Sequence, residues 1–202
     1  MPFFVLKIGG SLITSAKDLM LRLFDLTAEG YSFLVIPGGG PMADLVRDLF
    51  TRMHISEEAA HWMAILAMEQ YAYLLADGTG ARLTHEIKRA NGLVVLLPYH
   101  ALLENDDGLC HSWDYTSDSV AAIVAARLDA DIIKATDVDG IVLEGRLVSD
   151  VCANDLIGRR TCIDQGTLGL LKSRRCWILN GSDPQKFISM LKTGTGGTVI
   201  KG

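Results

Sequence analysis

No apolar run in this chain approaches the roughly 20 residues that a membrane-spanning helix needs, so nothing in it reads as a membrane anchor. Cysteine is scarce and unpatterned. Cys110, Cys152, Cys162 and Cys176 form no C-x-x-C pair and share no zinc-like spacing with the five histidines, which leaves four reduced, mostly buried thiols and no metal ligand set. Positive charge is also in short supply. Nineteen Lys and Arg face 24 Asp and Glu for a net charge of -5, whereas a general nucleic-acid binder carries a basic face. Phosphate ligands are not excluded, because a site needs only local lysines, backbone amides and a metal ion. The apolar run that opens the chain has no basic stretch ahead of it and no small-residue cleavage site behind it, so the expected location is cytoplasmic. Neither common nucleotide fingerprint is present: there is no G-x-x-x-x-G-K-S/T, and no G-x-G-x-x-G between a strand and a helix.

What the chain does have is apolar residues in short runs, each ended by glycine or proline. Hydrophobic residues make up 49% of 202, enough for a sizeable core. Phe3–Ile8 runs into Gly9 and Gly10, and residues 31–36 run into Pro37, Gly38, Gly39 and Gly40, the pattern of a buried strand feeding a glycine loop. Further strands are expected at 93–97, 132–135 and 176–179. Helices are expected after both glycine loops, from Ser56 to about Ala76, and near 82–90, 118–128 and 184–191. Ser15 with Asp18 reads as a capping box, Gly30 as a helix end and Pro41 as a first-turn proline. This alternation predicts an α/β fold with a largely parallel sheet covered on both faces. With no repeat, low-complexity tract or long linker, residues 1–202 read as one domain.

Four loops concentrate the chemistry. Lys7 stands at the end of the first strand before Gly9, Gly10 and Ser11, where amides with no Cβ in the way can approach phosphate oxygens. A lysine before a glycine turn is also what a solvated strand end looks like. One strand later, Gly38, Gly39 and Gly40 lead into a helix N-terminus and form an anion cradle. Two such cradles at neighbouring strand ends could face each other across a transferring phosphoryl group, or both could be tight αβ turns. In the third cluster, residues 112–119, Asp118 precedes an alanine-rich helix. A carboxylate near phosphate is useful when it pairs with a lysine and fixes its direction, with helix capping by Ser117 or Asp118 as the plainer role. The fourth, residues 134–141, puts Thr136, Asp137, Asp139 and Gly140 at the carboxyl end of a buried strand, where open α/β sheets bind ligands.

Taken together, K-I-G-G-S, P-G-G-G-P, T-S-D-S and T-D-V-D-G, in this order and at these separations, resemble the amino acid kinase superfamily over almost the whole chain, down to the closing glycine-threonine strand at 194–200. The resemblance implies a three-layer αβα sandwich with a mainly parallel sheet. It implies an ATP-dependent kinase, with Mg2+, that takes its acceptor in the N-terminal half and its nucleotide in the C-terminal half, and that forms a homo-oligomer. Lys7 would contact the transferring phosphate, Gly9, Gly10, Ser11 and Gly38, Gly39, Gly40 would cradle it, and Asp118 would organise the lysines. Thr136, Asp137, Asp139 and Gly140 would border the nucleotide. Many members carry a second lysine in G-G-M-x-x-K. The corresponding stretch here is Thr167-Leu168-Gly169-Leu170-Leu171-Lys172, so Lys172 takes the role by spacing without the glycine pair, or is an exposed helix lysine.

Within the superfamily, residues 61–70 and the Ser112-Trp113-Asp114 stretch resemble the small kinases of methanofuran biosynthesis. Their acceptor is the phosphate of an aminomethyl-furanmethanol, which becomes a diphosphate. Isopentenyl phosphate kinases place a histidine shortly after the second glycine loop, where this chain reads Pro41-Met42-Ala43-Asp44-Leu45. Such an acceptor calls for an apolar wall, a carboxylate and an anion cradle, and His61, Trp62, Glu69, Trp113 and Asp114 are the expected acceptor residues. The plainer reading makes Trp62 core and Glu69 a solvated helix position. Other acceptors (isopentenyl phosphate, UMP, an amino-acid carboxylate) and a non-catalytic nucleotide or oxyanion binder of the same fold remain the alternatives.

Overall fold

The computed structural model describes residues 2–202. Strand β1 (Phe3–Ile8) leads through a short turn of 3-10 helix to α1 (Ala16–Thr27), and β2 (Ser32–Pro37) leads to α2 (Gly40–Met53) and the long α3 (Glu57–Ala76). Then come β3 (Arg82–Thr84), β4 (Leu93–Leu96), α4 (Pro98–Leu102), α5 (Ser117–Arg127) and β5 (Ile132–Thr136). A hairpin of β6 (Val142–Leu143) and β7 (Arg146–Leu147) precedes β8 (Asp150–Cys152), α6 (Gln165–Leu170), β9 (Arg175–Asn180), α7 (Pro184–Thr193) and β10 (Thr198–Lys201).

Eight strands form one sheet in the order β3-β4-β2-β1-β5-β9-β10-β8, every neighbour pair parallel except β9 with β10. A parallel sheet has both faces buried, which is why β2, β4 and β5 are buried along their full length. Alternate residues serve opposite layers. Val5, Ile132 and Ile178 pack under α5, whereas Leu6, Ile8, Ile133 and Leu179 pack with α1 and α7. This is a three-layer αβα architecture.

Two local expectations are corrected. Residues 82–90, expected as helix, open with the edge strand β3, because Leu83 pairs with Val95 and the next turn is closed by the Glu86 amide donating to the Thr84 hydroxyl. Ser15 heads α1 without capping it. Its backbone is helical rather than extended, and its hydroxyl donates to the Leu12 carbonyl instead. Ser56, with an extended backbone, does cap α3 by accepting from the Ala59 amide at 3.2 Å.

Phe187 of α7 is fully buried in the α1-side layer, so its removal leaves a cavity there. Phe187→Ala should therefore lower the unfolding free energy by about 3–5 kcal/mol in urea titration. A loss under about 1 kcal/mol would show that this layer is loosely packed.

Candidate active site

The register of β1 against β5 pairs Lys7 with Lys134, so two ammonium groups leave the sheet side by side on the α5 face. Asp118, in the first turn of α5, stands between them. Lys7 Nζ is 2.8 Å from Oδ1, close but outside hydrogen-bond alignment, and Lys134 Nζ donates to Oδ2 and to the Cys162 carbonyl. All three side chains are buried. Burial alone would raise the Asp118 carboxyl, but the Lys134 and Lys7 charges outweigh it and hold the group below the usual carboxylate range. Burial pushes the Lys7 ammonium down, against the pull of Asp118 and with the help of Lys134. For Lys134, burial works the same way, and contact with Asp118 more than reverses it, so its proton is held more tightly than normal.

Asp164, which the sequence reading missed, fixes the start of α5. Its carboxylate accepts from the Thr116 amide and hydroxyl at 2.8 and 2.7 Å, from the Ser119 amide and hydroxyl at 3.3 and 3.0 Å, and from the Thr167 amide at 2.7 Å. One carboxylate thus serves the N-termini of both α5 and α6, and its own amide donates to Asp118 at 3.4 Å. The only advance signal was a D-x-x-T cap pattern, which names a helix start and not a distant partner. Asp118 itself caps neither helix, and both its oxygens face the lysines.

The two glycine loops touch. A Cβ on Gly10 would lie 2.4 Å from the Gly40 amide nitrogen and Cα, and Gly40 has φ +55, so only glycines allow the approach. The Tyr71 hydroxyl, from α3, donates to the Gly9 carbonyl at 3.3 Å and ties the first loop to the helix. Beside the loops opens a cavity of about 410 Å³. Lys7, Gly10, Ser11, Gly39 and Gly40 line it from the strand ends and glycine loops, and His61, Ala64, Met68 and Trp113 line it from α3 and the segment before α5. The Arg47 guanidinium lies 5.0 Å over the Trp113 ring, and Asp44 pairs with Arg47 at 2.8 Å. A second cavity, of about 500 Å³, lies at the carboxyl end of β5 and is lined by Asp137, Asp139, Gly140, Arg160, Cys162 and Asn180 among others. Thr136 bonds to Asp137 at 3.2 Å, and the Asn180 amide donates to Asp139 at 3.1 Å.

Four expected residues fall outside these arrangements. Lys172 is exposed in the turn after α6 at φ +52, and the second lysine on Asp118 is Lys134. Glu69 accepts from the Tyr99 amide at 2.8 Å and heads α4, which leaves it off the cavity. Trp62 packs edge-on against Tyr99 and donates to Glu58 at 2.7 Å. Asp114 is exposed and lines neither cavity. The carboxylates on the cavity wall are instead Asp44 and Glu57, and Glu57 has no ion-pair partner among the described residues.

Comparison with known proteins follows the same lines. The profile described as Amino acid kinase family matches residues 2–88 and 80–173. A curated protein of Methanocaldococcus jannaschii, [5-(aminomethyl)furan-3-yl]methyl phosphate kinase, is 36% identical over an alignment covering 93% of this chain and 92% of its own. Among solved structures, the uridylate kinase of Archaeoglobus fulgidus superposes with a TM-score of 0.69 at 22% identity, covering 99% of this chain and 100% of that one. The UMP kinase of Ureaplasma parvum does so with 0.73 at 14% identity, covering 100% and 99%. The structural likeness carries the fold.

Removing the central carboxylate strands two buried ammonium groups, so Asp118→Asn should cost about 3–5 kcal/mol of stability at neutral pH. Because the folded protein holds this carboxyl below its unfolded range, its stabilisation is present above about pH 4 and is lost as the pH falls further. Urea titrations at neutral and acid pH should show the wild-type advantage over Asp118→Asn shrinking in acid. An advantage that is constant with pH would count against the ion triplet.

Proposed function

The chain belongs to the amino acid kinase family and is a phosphotransferase, and on that premise we propose that it moves the γ-phosphoryl group of MgATP onto the phosphate of a small amine-bearing aromatic monophosphate. The acceptor we favour is [5-(aminomethyl)furan-3-yl]methyl phosphate, giving its diphosphate. One observation carries the reading: the Lys7–Asp118–Lys134 triplet spans the two cavities. Lys7 lines the first, and Lys134 rests on Cys162, which lines the second. A phosphoryl group passing between a nucleotide in one and an acceptor in the other meets Lys7 directly, with Lys134 behind it on the same carboxylate.

In this scheme, phosphoryl transfer depends on positioning and on neutralising charge at the transferred oxygens. The Gly10 and Gly40 loops offer backbone amides, and arriving phosphate oxygens favour the charged form of Lys7 that burial disfavours. Asp118 is a positioning residue. Both its oxygens face lysines, and an ionised phosphate acceptor has no proton that must be removed. Asp137 and Asp139 supply hard oxygen donors suited to magnesium carried by the nucleotide. In the acceptor cavity Trp113 provides an aromatic wall and Glu57 an unpaired carboxylate for the ammonium. Glu57 replaces Glu69 and Asp114 in that role.

The direct test is a coupled assay with MgATP across candidate acceptors. The aminomethyl-furan phosphate should be converted to a diphosphate, and efficient turnover of UMP, isopentenyl phosphate or an amino acid with no furan activity would refute the assignment. Lys7→Ala should lower turnover by about 10²–10³-fold, the scale of a lost charge-stabilising donor, while Lys172→Ala stays near wild type. Near-normal turnover in folded Lys7→Ala removes that lysine from the mechanism. Because Glu57 is exposed, Glu57→Gln should raise the acceptor KM by no more than about fivefold, with Glu69→Gln leaving it unchanged. The reverse ordering would return the ammonium site to Glu69.

A further inference from the structure

One group of side chains at the cavity wall has no part in phosphoryl transfer. His61 of α3 is buried, and its Nε2 has no hydrogen-bond partner. Its ring lies flat on that of His111, with centroids 3.7 Å apart and planes inclined by 10°. His111 Nε2 is 2.8 Å from Asp106 Oδ2, and Asp106 is itself oriented by the Gly108 amide, which donates to Oδ1 at 3.0 Å. One donor atom from each of His61, Asp106 and His111 lies within 4.8 Å of the other two.

We propose that His61, Asp106 and His111 form a binding site for a divalent transition-metal ion of the zinc class, separate from the magnesium that accompanies ATP. The donor chemistry points this way. Two imidazoles and one carboxylate suit zinc, cobalt or nickel, whereas magnesium takes oxygen ligands, and three protein ligands leave a fourth position open. The surroundings of His111 carry the argument further. Its other nitrogen, Nδ1, contacts Glu58 Oε2, and Glu58 Oε1 accepts from the Trp62 indole at 2.7 Å. A metal-binding histidine that donates its remaining N–H to a fixed carboxylate is the usual supporting arrangement, and it is already in place. Without an ion, His111 must hold a proton on each nitrogen to satisfy two carboxylates. With one, the metal replaces the Nε2 proton and the contact to Glu58 is kept. His61 Nε2, otherwise a buried polar atom with no partner, gains one when its ring turns out of the stack on His111, since stacked imidazoles hold their in-plane lone pairs nearly parallel and one ion needs them to converge.

The ion would tie α3 to residues 106–111 just before Trp113, and so order one wall of the acceptor cavity. The plainer arrangement is a Glu58–His111–Asp106 hydrogen-bonded chain that pins this segment with no metal, and titration separates the two. Chelator-stripped full-length protein, without nucleotide or acceptor, is titrated with Zn2+ by calorimetry and with Co2+ by visible absorption. One equivalent per chain is expected, with His61→Ala, Asp106→Asn and His111→Ala each weakening binding at least tenfold. Glu58→Gln, at an exposed side chain outside the core, should weaken it by about 10–100-fold. Cys110→Ser controls for the exposed thiol next to His111 and should change nothing. The proposal fails if no one-equivalent binding occurs, if binding survives His61→Ala, or if Cys110→Ser abolishes it. Circular dichroism of each variant separates loss of the site from loss of the fold. Since no acceptor enters the experiment, its outcome is independent of the substrate assignment.

Discussion

Two lysines on adjacent parallel strands, paired residue to residue, cannot both be buried and charged unless a carboxylate stands between them. Asp118 meets that condition for Lys7 and Lys134, and much of the surrounding structure serves to keep it there. Breaking a buried pair of this kind costs about 3–5 kcal/mol, a large share of the stability of an ordinary domain, so the carboxylate must be held rather than merely available. Holding it requires the first turn of α5 to sit at a set height over β1 and β5. That is the work of Asp164, whose carboxylate gathers amides and hydroxyls from the starts of α5 and α6. The arrangement is non-local at every step. The sheet brings the lysines together, one helix supplies the acid, and the segment before another helix fixes that acid.

This non-locality explains what could be read in the sequence. Apolar runs ended by glycine are local signals, and they placed β1 and β9 within a residue at each end, while leaving the two glycine loops open to either reading, as facing cradles or as tight turns. Lys7 could be singled out because glycines follow it directly. Lys134 could not. It sits inside a short apolar run whose informative residues seemed to be the Thr136, Asp137, Asp139 and Gly140 that follow, and only the parallel register with β1 reveals its partner. Motif spacing directed attention to Lys172 instead, which the turn after α6 leaves exposed. The edge strand β3 was missed because three residues, one of them Leu83, are too few to show an alternating pattern.

The proposed acceptor residues were harder for a different reason. Helix α3 is apolar on nearly all sides, touching both core layers, so periodicity cannot tell which face meets a cavity. Glu69 was an obvious carboxylate on that helix, yet it faces the start of α4 and accepts its amides. Glu57, the first residue of the helix, reads in sequence as an ordinary acidic first-turn residue, favoured there by the helix dipole whether or not a ligand is bound. Its place on the cavity wall depends on how α2 and the segment before Trp113 close over it.

Under the proposed function, the same helix divides transfer from selection. Near its C-terminal half, Tyr71 holds the Gly9 carbonyl and with it the loop that follows Lys7. At its N-terminal end, Glu57 and His61 line the cavity beside the glycine loops. Between them run about three to four helical turns, stiff enough to keep one end from following small adjustments at the other. Residues at the N-terminal end can therefore change shape and charge to suit a different acceptor while the triplet and glycine loops stay as they are. Under the proposed function, the sheet carries the charge and the helix end selects the acceptor, so substrate assignment would turn on residues 44–69 and 106–117 rather than on the sheet.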